Sequence, residues 1–240
     1  MFPLRDHNPS RRVPFVTWTL IALNVAIFAA YFWRPEQEVF QLVYADWALY
    51  PAAIVAGDDL YTLISAMFLH GGPMHIIGNM LFLYIFGDNL EDHFGHLGFL
   101  LFYLIAGFAA SAAQIVADPG STIPNIGASG AIAGVMGGYL LLFPKAKVDV
   151  LVVMGLITII AMPAWTMLLL WFGIQVVSGL ASIGATGGGV AYWAHAGGFA
   201  AGVVFVGLAW LMGQRPRRVD YHPDHPPTAA SPFPAVRRDR

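Results

Sequence analysis

The sequence predicts an all-α polytopic membrane protein, a bundle of about six transmembrane helices. Three observations carry that prediction. The 240 residues are 58% hydrophobic and only 11% charged, where an ordinary soluble domain carries about 25% charge. So few charges cannot coat a water-soluble globule, but they suffice for the loops and tails of a protein whose outer wall faces lipid. Apolar stretches long enough for the roughly 20 residues that a lipid-spanning helix needs recur along the chain. The lysines and arginines fall almost entirely on one side when those stretches alternate. The formal net charge of −2 offers no basic face for nucleic acid. The absence of cysteine excludes disulfides, thiolate nucleophiles and cysteine-ligated metals.

The elements follow in order. Residues 1–13 form a cytoplasmic N-terminal segment, and residues 14–213 form the membrane domain. Spans are expected near Pro14–Trp33, Pro73–Asp88, His96–Ala117, Gly127–Phe143, Pro163–Ser182 and Gly189–Gly213. The first lacks a clear small-x-small cleavage site before Tyr31 and is read as an uncleaved span. The long connection from Arg34 to Leu69 mixes acids with Phe40, Tyr44, Trp47 and Tyr50, as a loop in the headgroup layer or a plain aromatic belt would. Val148–Ala161 is apolar but sits between Lys147 and Pro163, and interfacial and re-entrant readings both stay open. Residues 214–240 hold six prolines among Arg and Asp and are expected to be a disordered cytoplasmic tail. Arg5, Arg11, Arg12, Lys145, Lys147, Arg215, Arg217 and Arg218 share one side, which places both termini in the cytoplasm. The expected home is a bacterial plasma membrane.

Polar groups inside spans are costly and each needs a reason. His75 and Asn79 stand one helical turn apart in the second span and leave the same face. A bland reading makes them a structural hydrogen-bond pair worth about 0.6 kcal/mol; the sharper one points them at a site. The fourth span opens with Ile126-Gly127-Ala128-Ser129-Gly130-Ala131. Serine among small residues often only permits close helix approach, yet Ser129 falls at the helix start, where backbone N–H groups are free to meet an anion. Gly127 and Gly130 would let a substrate backbone come near. In the sixth span, Gly198 and Gly202 follow His195 in a Gly-x-x-x-Gly surface. The fourth span offers a matching small face through Ser129, Ala133, Gly134, Gly137 and Gly138. Pressing these faces together would bring Ser129 to His195, as a nucleophile and its general base require. From Gly127 through Leu211 the only carboxylate is Asp149, beside the Lys145–Lys147 connection. A third acidic partner is therefore missing, leaving a dyad whose base is oriented by packing alone. Asn79, His75 and the Ser129 backbone N–H are the candidate oxyanion donors.

These stretches resemble the rhomboid family of intramembrane serine proteases. The likeness rests on Met67-Phe68-Leu69-His70, His75-Ile76-Ile77-Gly78-Asn79-Met80 and Ile85-Phe86-Gly87-Asp88-Asn89-Leu90-Glu91-Asp92. It continues through Gly127-Ala128-Ser129-Gly130-Ala131 and Ala194-His195-Ala196-Gly197-Gly198-Phe199, covering the chain from first span to sixth. The resemblance implies a rhomboid-like bundle that cleaves transmembrane segments of membrane-protein substrates through an acyl-enzyme, with no cofactor. It implies Ser129 as nucleophile, His195 as base, and His75 and Asn79 as oxyanion donors. It also implies His70 as a structural histidine at the edge of the site and Glu91 as an acid near the site that anchors helix packing. Two positions depart from the family pattern: Tyr61-Thr62 stands where many members carry Trp-Arg, and Ala133 where well-known members carry a tyrosine stacked on the base.

Two other classes of function fit the sequence less well. A catalytically inactive relative that binds membrane clients is expected to lose the serine or the histidine, and both are present. A metal or transport site built on His70, His75, His93 and His96 lacks the His-Glu-x-x-His run of zinc-dependent membrane proteases, so no metal is expected.

Overall fold

A computed structural model describes residues 2–154, 156–183 and 189–213. Five helices build the membrane domain: α1 (Phe15–Tyr31), α2 (Pro73–Ala117), α3 (Ser129–Leu142), α4 (Ala164–Ala181) and α5 (Tyr192–Leu211). Helix α2 is two spans in one, broken at Gly95, whose φ of 73° is the left-handed geometry that glycine adopts without a Cβ clash. Its two limbs correspond to the second and third expected spans, so the expected bundle of about six is present, with ends shifted by a few residues. By length and composition α2, α4 and α5 can each cross a membrane, while α1 and α3 are shorter apolar helices. The expected tail at 214–240 lies outside the described residues.

Helix α3 is the core. Every residue from Gly130 to Tyr139 is buried, and so is Leu142. A helix of 14 residues is about 21 Å long, short of a ~30 Å hydrocarbon core. It is wrapped by α2 and α5 instead of lipid, so it has no need to span. Its glycines set that wrapping. A Cβ at Gly202 would lie 2.0 Å from the Gly134 carbonyl oxygen, one at Gly198 2.0 Å from that of Gly130, and one at Gly137 2.1 Å from that of Phe199. Backbone therefore rests on backbone between α3 and α5, the close approach that the small faces had suggested.

Glu91 closes the far end of the bundle. Pro14 precedes α1 and supplies no side-chain cap, but the buried Glu91 carboxylate accepts from the Val16 and Thr17 N–H groups at 2.8 Å each. It also accepts from Thr17 Oγ1 at 2.7 Å, and His96 Nδ1 lies 2.6 Å away. A carboxylate at a helix N-terminus satisfies orphan donors and complements the dipole.

Between α1 and α2 the connection is a series of short helical turns rather than an irregular loop. Tyr61 Oη donates to the Asp46 carbonyl at 2.6 Å and stacks edge-on against Trp47, while Ser65 Oγ donates to the Trp47 carbonyl. Tyr61 thus ties the connection together at the position where the family's Trp-Arg was missing.

A three-stranded antiparallel sheet, β1-β2-β3, was not foreseen in the all-α expectation. The stretch 148–161, left between interfacial and re-entrant readings, is the hairpin of β2 (Lys147–Met154) and β3 (Leu156–Pro163). The N-terminal segment contributes β1 (Phe2–Asp6), with Phe2 opposite Leu151 and Asp6 opposite Val148. Side chains pin this segment both to the bundle and to β2. Tyr139 Oη donates to Asp6 at 2.5 Å, the buried Asn8 and Asn89 side chains bond each other, and Arg5 and His7 both reach Asp149.

Two acids give this strap opposite pH responses. Burial pushes Asp6 up from 3.8 to about 7, with the Tyr139 hydrogen bond pulling the other way and the nearby Asp88 charge adding to the rise. Asp149 is opposed by burial too, but the Arg5 and His7 hydrogen bonds outweigh it and hold its carboxyl below the usual range. A raised acid keeps its proton when docked and loses it when free, so Asp6 weakens docking as pH rises from about 4 to about 7. Asp149 strengthens docking with rising pH, but only below the ordinary carboxylate range. We expect the protection of the amides in residues 2–8, with exchange corrected for its intrinsic pH dependence, to be lower at pH 8 than at pH 5, and Asp6→Asn to remove most of that difference. Equal protection at the two pH values would rule the account out.

Candidate active site

Ser129 is the first residue of α3 and His195 lies in the first turn of α5, so the two helix starts meet at one end of the bundle. Ser129 Oγ is 2.7 Å from His195 Nε2, within the reach that activation of a hydroxyl by a base requires. The glycine contacts between Gly198 and Gly130, and between Gly202 and Gly134, fix this distance from below. Gln114 of α2 adds a tie, accepting from the Ala194 N–H at 3.2 Å.

His75 borders the same space. A Cβ at Gly127 would lie 2.8 Å from His75 Nε2 and 3.5 Å from Ser129 Oγ, so only glycine leaves the gap between them open. Gly127 holds φ at +124°, a backbone that L side chains rarely adopt, and its N–H is anchored to the Ala66 carbonyl at 2.9 Å. His75 Nδ1 accepts from the Gly71 N–H at 3.2 Å, which leaves Nε2 as the free edge of the ring. Asn79, one turn on, is buried, and its Nδ2 has no partner among the described residues. A buried amide donor without an acceptor costs stability unless a ligand supplies one. His70 is fully buried, edge-on to the His75 ring at 5.0 Å. Its backbone is clamped by Tyr31, whose hydroxyl donates to the His70 carbonyl at 2.8 Å and accepts from the His70 N–H at 2.6 Å.

Three expectations need correction. Packing alone does not hold the His195 ring: Gln175 Oε1 of α4 lies 2.8 Å from His195 Nδ1. Trp171, one turn earlier on α4, takes the place open at Ala133, its ring centroid 5.7 Å from that of His195 at 34° between planes. Glutamine in an otherwise apolar span was the signal available, since a polar side chain at that depth needs a partner. Glu91 is not near the site; it lies roughly sixteen residues, or about 24 Å, along α2 from His75 and caps α1. Gly130 serves packing as well as access, since a Cβ there would fall 2.5 Å from Ala110 Cβ. A small cavity opens beside Ser129, bordered by Met67, Gly107, Ala110, Ser111 and Gln114.

A helical membrane bundle that brings a serine and a histidine together at two helix starts defines a class, and comparison with known proteins agrees. Residues 57–213 match the rhomboid domain, and the chain belongs to the rhomboid family. It is 41% identical over 87 residues to RHOMBOID-like protein 6, mitochondrial, of Arabidopsis thaliana, covering 36% of this chain and 28% of that one. It is 28% identical over 219 residues to Rhomboid protein 1, mitochondrial, of Saccharomyces cerevisiae, covering 85% of this chain and 56% of that one. Rhomboid protease GluP of Bacillus subtilis is 38% identical over 88 residues, 37% of this chain and 17% of the relative. The chain thus spans less than two thirds of the length of each of these relatives.

Proposed function

We propose that this protein is an intramembrane serine endopeptidase that cleaves transmembrane segments of membrane-protein substrates. The observation that carries the reading is the 2.7 Å contact between Ser129 Oγ and His195 Nε2. In this reading His195 takes the hydroxyl proton as Ser129 Oγ bonds the scissile carbonyl carbon. The proton then passes to the leaving amine as the C–N bond breaks, leaving an acyl-enzyme. Water repeats the sequence and frees Ser129. The oxyanion is met by Asn79 Nδ2, by His75 and by the backbone N–H of Ser129. The unpartnered Asn79 amide supports that role, and so does the position of Ser129, whose N–H has no acceptor within its own helix.

Because α3 is shorter than a span, Ser129 sits within the depth of the bundle. A substrate helix must unwind to present its backbone there. The narrow cavity beside Ser129, with Gly107 and Ala110 on its wall, suits a small side chain next to the scissile bond. The Lys and Arg pattern supports cytoplasmic termini, and a bacterial plasma membrane is the residence this reading proposes.

A fluorophosphonate probe tests the reading directly, since it reacts only with an activated serine. Wild-type protein in detergent or vesicles is expected to label, and Ser129→Ala is not. Equal labelling of the two would refute Ser129 as the nucleophile. Labelling of neither, together with no cleavage of any transmembrane substrate, would favour a client-binding protein without activity.

A further inference from the structure

We propose that Gln175 is a positioning residue that makes the site a Ser129–His195–Gln175 triad with an uncharged third member. The inference rests on the reading of Ser129 and His195 as nucleophile and base. A neutral imidazole carries one ring proton, and the hydrogen bond at one nitrogen decides which. Gln175 Oε1 is an acceptor only, and at 2.8 Å it requires the proton on His195 Nδ1. Nε2 is then the lone pair, and it is Nε2 that lies 2.7 Å from Ser129 Oγ. The opposite tautomer would point an N–H at the serine and could take no proton from it.

The surroundings make this contact specific. Gln175 is 8% exposed, and a buried side-chain oxygen of this kind calls for a donor. Trp171, four residues earlier, leaves the same face of α4 and lies over both His195 and Phe199, with ring centroids at 5.7 and 6.2 Å. Phe172 stacks on Phe199 at 4.7 Å. One helix thus presents a flat surface to the His195 ring and an acceptor to its edge, which sets both tilt and tautomer. Helix α4 is seated on α5 through Gly179, where a Cβ would come within 3.3 Å of the Trp193 ring.

The choice of an amide follows from the solvent. A carboxylate in this position would be an isolated charge in a span, costly unless paired. The amide oxygen fixes the same tautomer without that charge. When Nε2 takes the serine proton, the imidazolium keeps its Nδ1–H on Gln175 Oε1, and no proton passes to the glutamine. The proton held at Nε2 goes to the leaving amine.

The test uses the full chain in vesicles with a transmembrane substrate, comparing Gln175→Leu, Gln175→Glu and Ser129→Ala. Gln175→Leu removes the acceptor at similar volume and is expected to lower kcat by about 10²-fold or more, with KM within about twofold. Gln175→Glu keeps an acceptor and is expected to recover most of the loss in kcat, with the cost of the buried acid read as lower thermal stability. A separate readout is ring ¹⁵N NMR of histidine-labelled protein, which distinguishes Nδ1–H from Nε2–H without any substrate. Wild type is expected to show His195 as the Nδ1–H tautomer, and Gln175→Leu a mixture. The proposal is overturned if Gln175→Leu keeps wild-type kcat, if the Leu and Glu variants fall equally with raised KM, or if the tautomer is unchanged. Cleavage that survives Ser129→Ala would instead refute the assignment of the nucleophile, and the tautomer measurement would still judge Gln175.

Discussion

Ser129→Ala is expected to reduce cleavage of a reconstituted transmembrane substrate by at least about 10⁴-fold while leaving the protein inserted and folded. The change removes one oxygen at the first residue of α3. Among the described residues, the hydrogen bond that this oxygen makes is the one to His195. His195→Ala should cost a similar factor, and the double variant little more than either, because the two groups act as one unit. The measurement is the single-turnover rate in vesicles, with thermal unfolding as a control for folding. A double variant markedly slower than both singles would mean that serine and histidine contribute independently, contrary to a shared proton transfer. Full activity in Ser129→Ala would end the mechanism.

Much of this site is legible in the amino-acid sequence because membrane helices advertise their polar exceptions. Ser129, His195, His75 and Asn79 stand out against apolar surroundings, and the glycine spacing at 134, 198 and 202 gives the helix faces that join. Such faces have few ways to meet, so the contact between α3 and α5 follows from pattern alone. The third contributor is less visible. Gln175 and Trp171 lie in Trp-Phe-Gly-Ile-Gln-Val-Val, where the glutamine asks for a partner but nothing in the stretch says which. Which face of α4 turns inward depends on tertiary packing against Phe199, and hydropathy does not encode it. The hairpin was hidden for a different reason. An apolar run reads alike as strand, re-entrant loop or buried helix. Val148, Val150, Val152, Ile157, Thr158, Ile159 and Ile160 around Gly155 carried a β-branched signal, but the partner strand came from the N-terminal segment, far away in sequence. Glu91 shows the limit of position-based reading. Its neighbours in sequence say nothing of Val16 and Thr17, whose N–H groups it holds.

The glycine seam yields the second large effect, and it separates geometry from chemistry. Gly202 lies on α5 about 10 Å along the helix from His195 and touches no reacting atom. A Cβ there would stand 2.0 Å from the Gly134 carbonyl oxygen, 2.7 Å from its carbon and 2.9 Å from its Cα. All three atoms are backbone, so no rotamer change relieves the clash and α3 and α5 must part. A misplacement of about 1 Å can cost on the order of 10²-fold in rate, and the 2.7 Å contact between Ser129 and His195 is the distance that lengthens. Gly202→Ala is therefore expected to lower kcat by about 10²-fold and to reduce thermal stability; Gly202→Leu is expected to abolish activity. The matched control is Gly207→Ala on the same helix, where a Cβ meets nothing within 4 Å. Alanine is there the better helix former by up to about 1 kcal/mol, so that variant should be as stable as wild type or slightly more so, and fully active. Gly202→Ala at wild-type rate would mean that the α3–α5 seam is looser than backbone contact, and that the position of His195 is set by α4 instead.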